Sequence, residues 1–224
     1  VTVLAAPCPQ PYNGVNTYVM NGVEAAVSPL NDHQLEQIHE ERKRQIKKAA
    51  LKVFALHGIA GTKISSIAAA AGISQGLSYR YFSSKEELYT ELVQDALDEA
   101  ESAMGHIHEL PGTPAEQIRA FTCLMLDPDN RLSFLLIRQV QISEEAPEAA
   151  KRLIEQHPPE KTIERLMPIF IKGQKEGEFY EGEPAQLLLC YFSVITGLML
   201  QESPYVEDFW IRQADVLMRM IKKP

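Results

Sequence analysis

Cysteine is scarce in this sequence. Cys8, Cys123 and Cys190 are odd in number and far apart, and no two form a C-x-x-C pair. That excludes a disulfide framework and a cysteine zinc site, and it fits a reducing cytoplasm. No N-x-S/T sequon occurs. Long apolar runs are also missing. The most intense, Leu187 to Leu200, covers 14 positions, whereas a membrane span needs roughly 18 or more. It reads as a buried helix, and no membrane partner is expected. H-E-x-x-H, G-x-S-x-G, P-loop and G-x-G-x-x-G motifs are all absent, which removes the common hydrolase and nucleotide sites. A di-iron carboxylate bundle needs two Glu-x-x-His pairs, and only Glu36 and His39 have that spacing. His106 and His108 point to different faces of a helix. No metal, no cofactor and no enzyme activity are expected.

What is present is an ordinary globular composition. The chain has 224 residues, of which 45% are hydrophobic and 23% charged, enough to bury a core without staples. The net charge of -8 argues against a nucleic-acid partner until it is read by position. Nine of the 22 basic residues fall between Arg42 and Lys85, a stretch without a single Asp or Glu, and all 30 acidic residues lie elsewhere. A compact basic block in an acidic chain is the electrostatic footprint of a module for a polyanion.

Residues 1–31 stand apart. Val1 to Val23 carries no charge and is rich in Pro, Asn and Gly. It lacks the basic start of a signal peptide and reads as a flexible leader, in part an extension upstream of Met20. The first helix is expected from Asp32 to Leu56. Ile46, Ala50, Val53, Phe54 and His57 form its apolar stripe, and Gly58 its cap. The Arg42–Lys48 cluster falls largely off that stripe, facing water or phosphate. A short helix ends at Ala71. Ser74 caps a third, Gln75 to Phe82, and Ser84 with Glu87 forms a capping box for a fourth that reaches about Met104. Further helices follow between Pro and Gly breakers, the last from Glu207 to Lys222. No useful segment alternates with period two, so the expected fold class is all-α.

Helix, tight glycine turn, helix is the helix-turn-helix plan. Small Ala68 lets the second helix approach, Gly72 supplies φ > 0, and the second helix must present polar groups from its N-terminal half. Gln75 and Ser78 are the candidates, although Ser78 stands where many such units have a branched core residue. Gly76 permits close backbone approach. Tyr79, Arg80 and Tyr81 suit phosphate oxygens, and Lys85 opens the next helix.

Ile67 to Leu88 follows the pattern I-A-x-x-A-G-[VI]-S-x-G-x-x-Y-x-[YH]-F-x-x-K-x-x-L. This resembles the DNA-binding domain of the tetracycline-repressor (TetR) family. Elsewhere the likeness is in length, helical character and the Gly-Gln…Gly-Glu-Phe ending of a central helix, Gly173 to Phe179. The resemblance implies a homodimeric transcription factor, usually a repressor. A three-helix DNA-binding domain over residues 32–92 precedes a helical effector-binding and dimerisation domain over residues 93–224. Carried over by position, Gln75, Gly76, Leu77 and Tyr79 face bases or the groove. Thr62, Tyr79, Arg80, Tyr81 and Lys85 fall at phosphate-contact positions. The implied partners are operator double-stranded DNA, a second copy of the chain and a small, largely apolar effector. A helical-bundle enzyme and a ligand-independent regulator of the same fold are the alternatives.

The residues support a dimer independently. Eleven of the 14 residues from Leu187 to Leu200 are apolar and none is charged, so that helix must be covered on all sides. The expected interface comprises Leu188, Phe192, Ile195 and Met199, with Trp210 and Leu217 from the last helix. Phe121, Met125, Phe134, Met167, Phe170 and Tyr191 are candidates for the effector pocket, with Arg138 as a polar anchor. Core is the ordinary place for such residues.

Overall fold

The computed structural model describes residues 17–20, 23–26, 31–158, 160–201 and 209–224. The chain divides into two compact units, residues 1–44 and 45–224. In the first, β1 (Thr17–Met20) and β2 (Val23–Ala26) pair antiparallel, with Met20 opposite Val23. The all-helical expectation left this hairpin inside a flexible leader. Its signal is the dipeptide Asn21-Gly22 between the strands, the pair that most favours a two-residue hairpin connection. Helix α1 (Asp32–His57) also begins in this unit. Asn31 opens it reciprocally: its Oδ1 accepts from the Gln34 amide at 2.7 Å, and Gln34 Oε1 accepts from the Asn31 amide at 3.0 Å.

The second unit is helical. The end of α1 is followed by α2 (Ile64–Ala70), α3 (Gln75–Ser78) and α4 (Lys85–Gly105), then a short 3-10 turn at Ile107–Glu109. Next come α5 (Pro114–Met125), α6 (Pro128–Ile142), α7 (Glu148–Gln156), α8 (Glu160–Lys175), α9 (Pro184–Met199) and α10 (Phe209–Met218). Local chemistry sets the ends. Gly58 (φ 65°) and Gly72 (φ 67°) take the left-handed backbone that closes α1 and α2. Thr113 and Glu116 cap α5 reciprocally, at 3.4 and 2.8 Å. At α4 the expected box is displaced by one residue. Ser84 accepts from the Glu87 amide at 3.0 Å, but the Glu87 carboxylate reaches back to the Ser83 amide at 2.6 Å.

Two hydrophobic cores organise this unit. One gathers Ile46, Phe54, Ile67, Phe82, Leu88 and Tyr89 from α1 to α4, and it also contains Leu136 and Val140 of α6 and Ala150 of α7. Phe54 and Tyr89 meet edge to face at 5.0 Å. The helix-turn-helix therefore does not close its core alone; α6 and α7 complete it. The other core is built by α5, α8, α9 and α10 around Ile118, Phe121, Phe170, Tyr191 and Leu217. There Phe170 stacks on Phe179 at 4.6 Å. A Cβ on Gly173 would lie 2.4 Å from the Phe179 ring, so the motif's glycine makes room for that ring. Phe179 in turn forms a strand-like bridge to Lys222.

This second core takes up the residues expected at a dimer interface. Leu188 and Ile195 are fully buried within the chain's own packing, and Phe192, Met199 and Leu217 are buried with them. Among the described side chains, the large apolar ones that α9 and the α10 region leave exposed are Leu189, Val194, Leu200, Val216 and Met220. A helix apolar on every side has no periodicity to tell its inner face from its outer one. Trp210 lies outside the described side chains.

Candidate nucleic-acid interface and effector cavity

The turn between α2 and α3 is held by backbone bonds: the Ile73 amide donates to Ala68 O at 3.0 Å and the Gly72 amide to Ala69 O at 3.1 Å. Ser74 Oγ accepts from the Leu77 amide at 3.2 Å and starts α3. α3 is shorter than expected. After Ser78 the amides of Arg80 and Tyr81 reach back only three residues, to Leu77 and Ser78, so the segment to Phe82 tightens into turns. Gln75, Gly76 and Arg80 are exposed, Leu77 and Tyr81 partly so, and Tyr79 keeps 51% of its surface. A Cβ at Gly76 would meet nothing within 4 Å, so this backbone stands clear for close approach.

Gln75, Tyr79 and Lys85 line one shallow depression of about 480 Å³, together with Lys63 and Ser65 at the start of α2. Lys63 was legible only as a member of the basic block, and Ser65 carried no signal. Arg80 and Tyr81 lie outside this depression. Lys85 has a second task, donating to the carbonyls of Ile59 at 2.9 Å and Thr62 at 3.3 Å. It thereby pins the segment after α1 to the start of α4.

Three expectations need correction. Thr62 is 1% exposed, and its hydroxyl donates to Gly58 O at 2.6 Å. Its side chain locks the turn after α1, and Thr62 borders the depression only through the little surface it keeps. Ser78 is 2% exposed and occupies the core position, so it presents nothing to a base. Lys47 does not face solvent phosphate either: its ammonium lies 2.7 Å from Asp95 and 3.0 Å from Glu91 on α4. Burial opposes its charge, but these two carboxylates outweigh burial and hold its pKa above the ordinary value.

A second feature is a cavity of about 510 Å³ among α4, α6, α8 and α9. Of the expected effector residues, Met125, Phe134 and Arg138 line it. Phe121, Phe170 and Tyr191 are buried in the second core, and Met167 is not among the lining residues. Tyr191 is held by its hydroxyl, 2.7 Å from Thr122 Oγ1 and 3.4 Å from the Met218 sulfur, and burial pushes its pKa up to about 12. α4 walls the cavity with Leu97, Ala100 and Met104 and α8 with Lys161 and Ile163, residues that carry no individual signal in the sequence. α6 is common to both features. Phe134, Ile137, Arg138 and Gln141 line the cavity, while Leu136 and Val140 enter the core of the helix-turn-helix.

Comparison with known proteins bears on this geometry. Residues 46–92 match the family of bacterial regulatory proteins, tetR family. The HTH-type transcriptional regulator HbdR of Aromatoleum sp. (strain CIB) is 33% identical over 99 residues, 44% of this chain and 42% of that protein. The chain spans less than half the length of the curated relatives it first matches. Solved structures agree over most of the fold. The ketosteroid transcriptional regulator KstR2 of Mycobacterium tuberculosis superposes with a TM-score of 0.65 at 17% identity, over 82% of this chain and 96% of that one. AibR in complex with isovaleryl coenzyme A and operator DNA superposes with a TM-score of 0.62 at 18% identity, over 82% and 99%. The fold is therefore an N-terminal helix-turn-helix followed by a helical domain, and its helix-turn-helix lies within the residues, 46–92, that match the tetR-family model. Among the described residues no helix is long and apolar enough to cross a membrane.

Proposed function

We propose that this chain, with its tetR-family DNA-binding domain, is a transcriptional regulator that binds a pseudo-palindromic operator as a homodimer and is released by a small effector. It acts in the cytoplasm, as a regulator and not as an enzyme. The observation that carries the reading is the gathering of Gln75, Tyr79 and Lys85 around one depression, with Gln75 and Tyr79 exposed and Lys85 half-buried, beside a turn closed by the Gly72 and Ile73 amides. Gln75 has the amide that pairs with adenine. Tyr79, Arg80, Tyr81 and Lys85 are the phosphate-binding set, with Gly76 and Leu77 against the groove.

The exposed apolar residues Leu189, Val194, Val216 and Met220 favour a second copy as the cover for α9 and α10. The cavity supports the effector. Its volume lies within the roughly 300–1,000 Å³ usual for small-molecule sites, and AibR, which shares the fold, holds both an acyl thioester and operator DNA. The deciding experiment is selection from random duplex DNA, followed by sedimentation of the complex. Enrichment of a pseudo-palindrome with half-sites about 34–36 Å apart, bound by paired chains, is the expected result. No enriched sequence, or a monomer on the DNA, would refute the reading.

A further inference from the structure

The cavity is apolar inside and basic at its rim. Leu97, Met104, Phe134, Ile137, Ile163 and Phe192 supply the apolar wall. Glu101 is the one carboxylate among the described lining residues, and it is already engaged. It lies 3.4 Å from the Arg165 guanidinium and 3.8 Å from the His157 ring. Arg138 and Lys161 have no such answer. Among the described residues Arg138 meets the neutral amide of Gln141 at 3.5 Å, and Lys161 donates to the Gln156 carbonyl at 2.7 Å. Both lie in exposed positions at the edge of the same cavity. A cationic ligand would meet two positive charges with no free carboxylate to receive it. A neutral apolar ligand would fill the wall and leave both cations to water.

We propose that this cavity takes an amphiphile with an apolar body and an anionic head, a carboxylate or a phosphate, held by Arg138 and Lys161. The inference rests on reading the cavity as an effector site. A volume of about 510 Å³, at about 30 Å³ per water-sized group, holds on the order of 17 non-hydrogen atoms. That suits a medium-length acyl chain or a small ring system with its head at the rim. A thioester on a phosphorylated carrier would keep its acyl group inside and its nucleotide outside, so the anion has two sources that share one chemistry.

The test is calorimetric titration of the full chain, without DNA, by decanoate, 1-decanol, decyltrimethylammonium and decanoyl-coenzyme A. An anion should bind at least about tenfold tighter than the alcohol or the ammonium compound, because charge-assisted hydrogen bonds are roughly twice as strong as neutral ones. Arg138→Gln and Lys161→Gln should each weaken the anion by about tenfold and leave 1-decanol within about twofold. Tighter binding of decanoate identifies a free acid as the source, and tighter binding of decanoyl-coenzyme A a thioester. Equal affinity for acid, thioester and alcohol would overturn the proposal. So would charge variants without effect, or no binding of either anion at millimolar concentration. The titration contains no DNA, so a failure of the operator reading appears separately, in the selection experiment.

Discussion

Lys47 on α1 donates to Asp95 on α4 at 2.7 Å, joining the helix before the helix-turn-helix to the helix that leads out of it. The Lys47 side chain is 21% exposed, so the pair is partly shielded from water. Folding raises its pKa above the ordinary 10.5. The stability it contributes is therefore complete below that value and is lost as pH rises through the higher folded-state value. Lys47→Met should cost about 1 kcal/mol at pH 7, and the gap should shrink as the pH passes about 10.5. Urea unfolding of both proteins from pH 8 to pH 11 measures it. A gap that stays constant across that range would mean the pair adds nothing to stability.

On the DNA side, two classes of variant should separate. Arg80→Ala should weaken binding to every sequence alike and lower the slope of log affinity against log salt by roughly one. Lys85→Ala should do the same and, because Lys85 also bonds the carbonyls of Ile59 and Thr62, destabilise the fold by about 1 kcal/mol. Gln75→Ala should leave the salt slope intact and relax one base position by about 1–3 kcal/mol. A base-by-base binding profile unchanged by Gln75→Ala would remove that residue from the readout.

Two buried tyrosines should respond oppositely to loss of the hydroxyl. Tyr191 OH is bonded to Thr122 and Met218, whereas the buried Tyr89 OH has no partner among the described residues. Burial pushes the pKa of both up to about 12, so neither titrates near neutral pH. Tyr191→Phe should cost about 1 kcal/mol, the net worth of a hydrogen bond, since Thr122 keeps its bond to the Ile118 carbonyl at 2.8 Å. Tyr89→Phe should be neutral or stabilising, because it removes an unsatisfied polar group and keeps the ring against Phe54. Unfolding midpoints of the two variants, compared at equal slope, decide the matter.

The parts of the fold that were legible in the sequence are those set by near neighbours. Gly72, Ser74 and Ser84 act within four residues of themselves, and the turn and caps sit where those residues require. What was not legible depends on partners far along the chain. Lys47 belongs to the Arg42–Lys48 cluster that helical periodicity turns toward water or phosphate, and only the fold brings Asp95, 48 residues away, against it. Thr62 carried no sign that its hydroxyl would turn inward to Gly58. Leu188 and Leu189 are chemically equal neighbours on an all-apolar helix, and only the packing of α9 buries the first and leaves the second exposed. The early end of α3 has the same origin, since the turn at Arg80 and Tyr81 is what carries Phe82 into the core.

The same distinction bears on regulation. α6 has its cavity-lining side chains (Phe134, Ile137, Arg138) and its core side chains (Leu136, Val140) on one short helix. A ligand that moves the first set moves the second, and with it the packing beneath the reading helix. α4 adds a second link, lining the cavity with Leu97 and Met104 and the DNA-binding core with Leu88 and Tyr89. A ligand that binds the DNA-free state better by about 1–3 kcal/mol would lower operator affinity about 5–150-fold. Operator DNA must then weaken the ligand by the same factor. Val140→Ala trims the joint without touching the cavity wall. It should leave decanoate binding to free protein unchanged while reducing the coupling by about 0.5–2 kcal/mol. Titrating decanoate into free protein and into the operator complex, for wild type and Val140→Ala, gives all four affinities. Equal affinities in the wild-type pair would mean that the cavity does not communicate with the DNA-binding helices. A wild-type coupling untouched by Val140→Ala would place the communication in α4 instead.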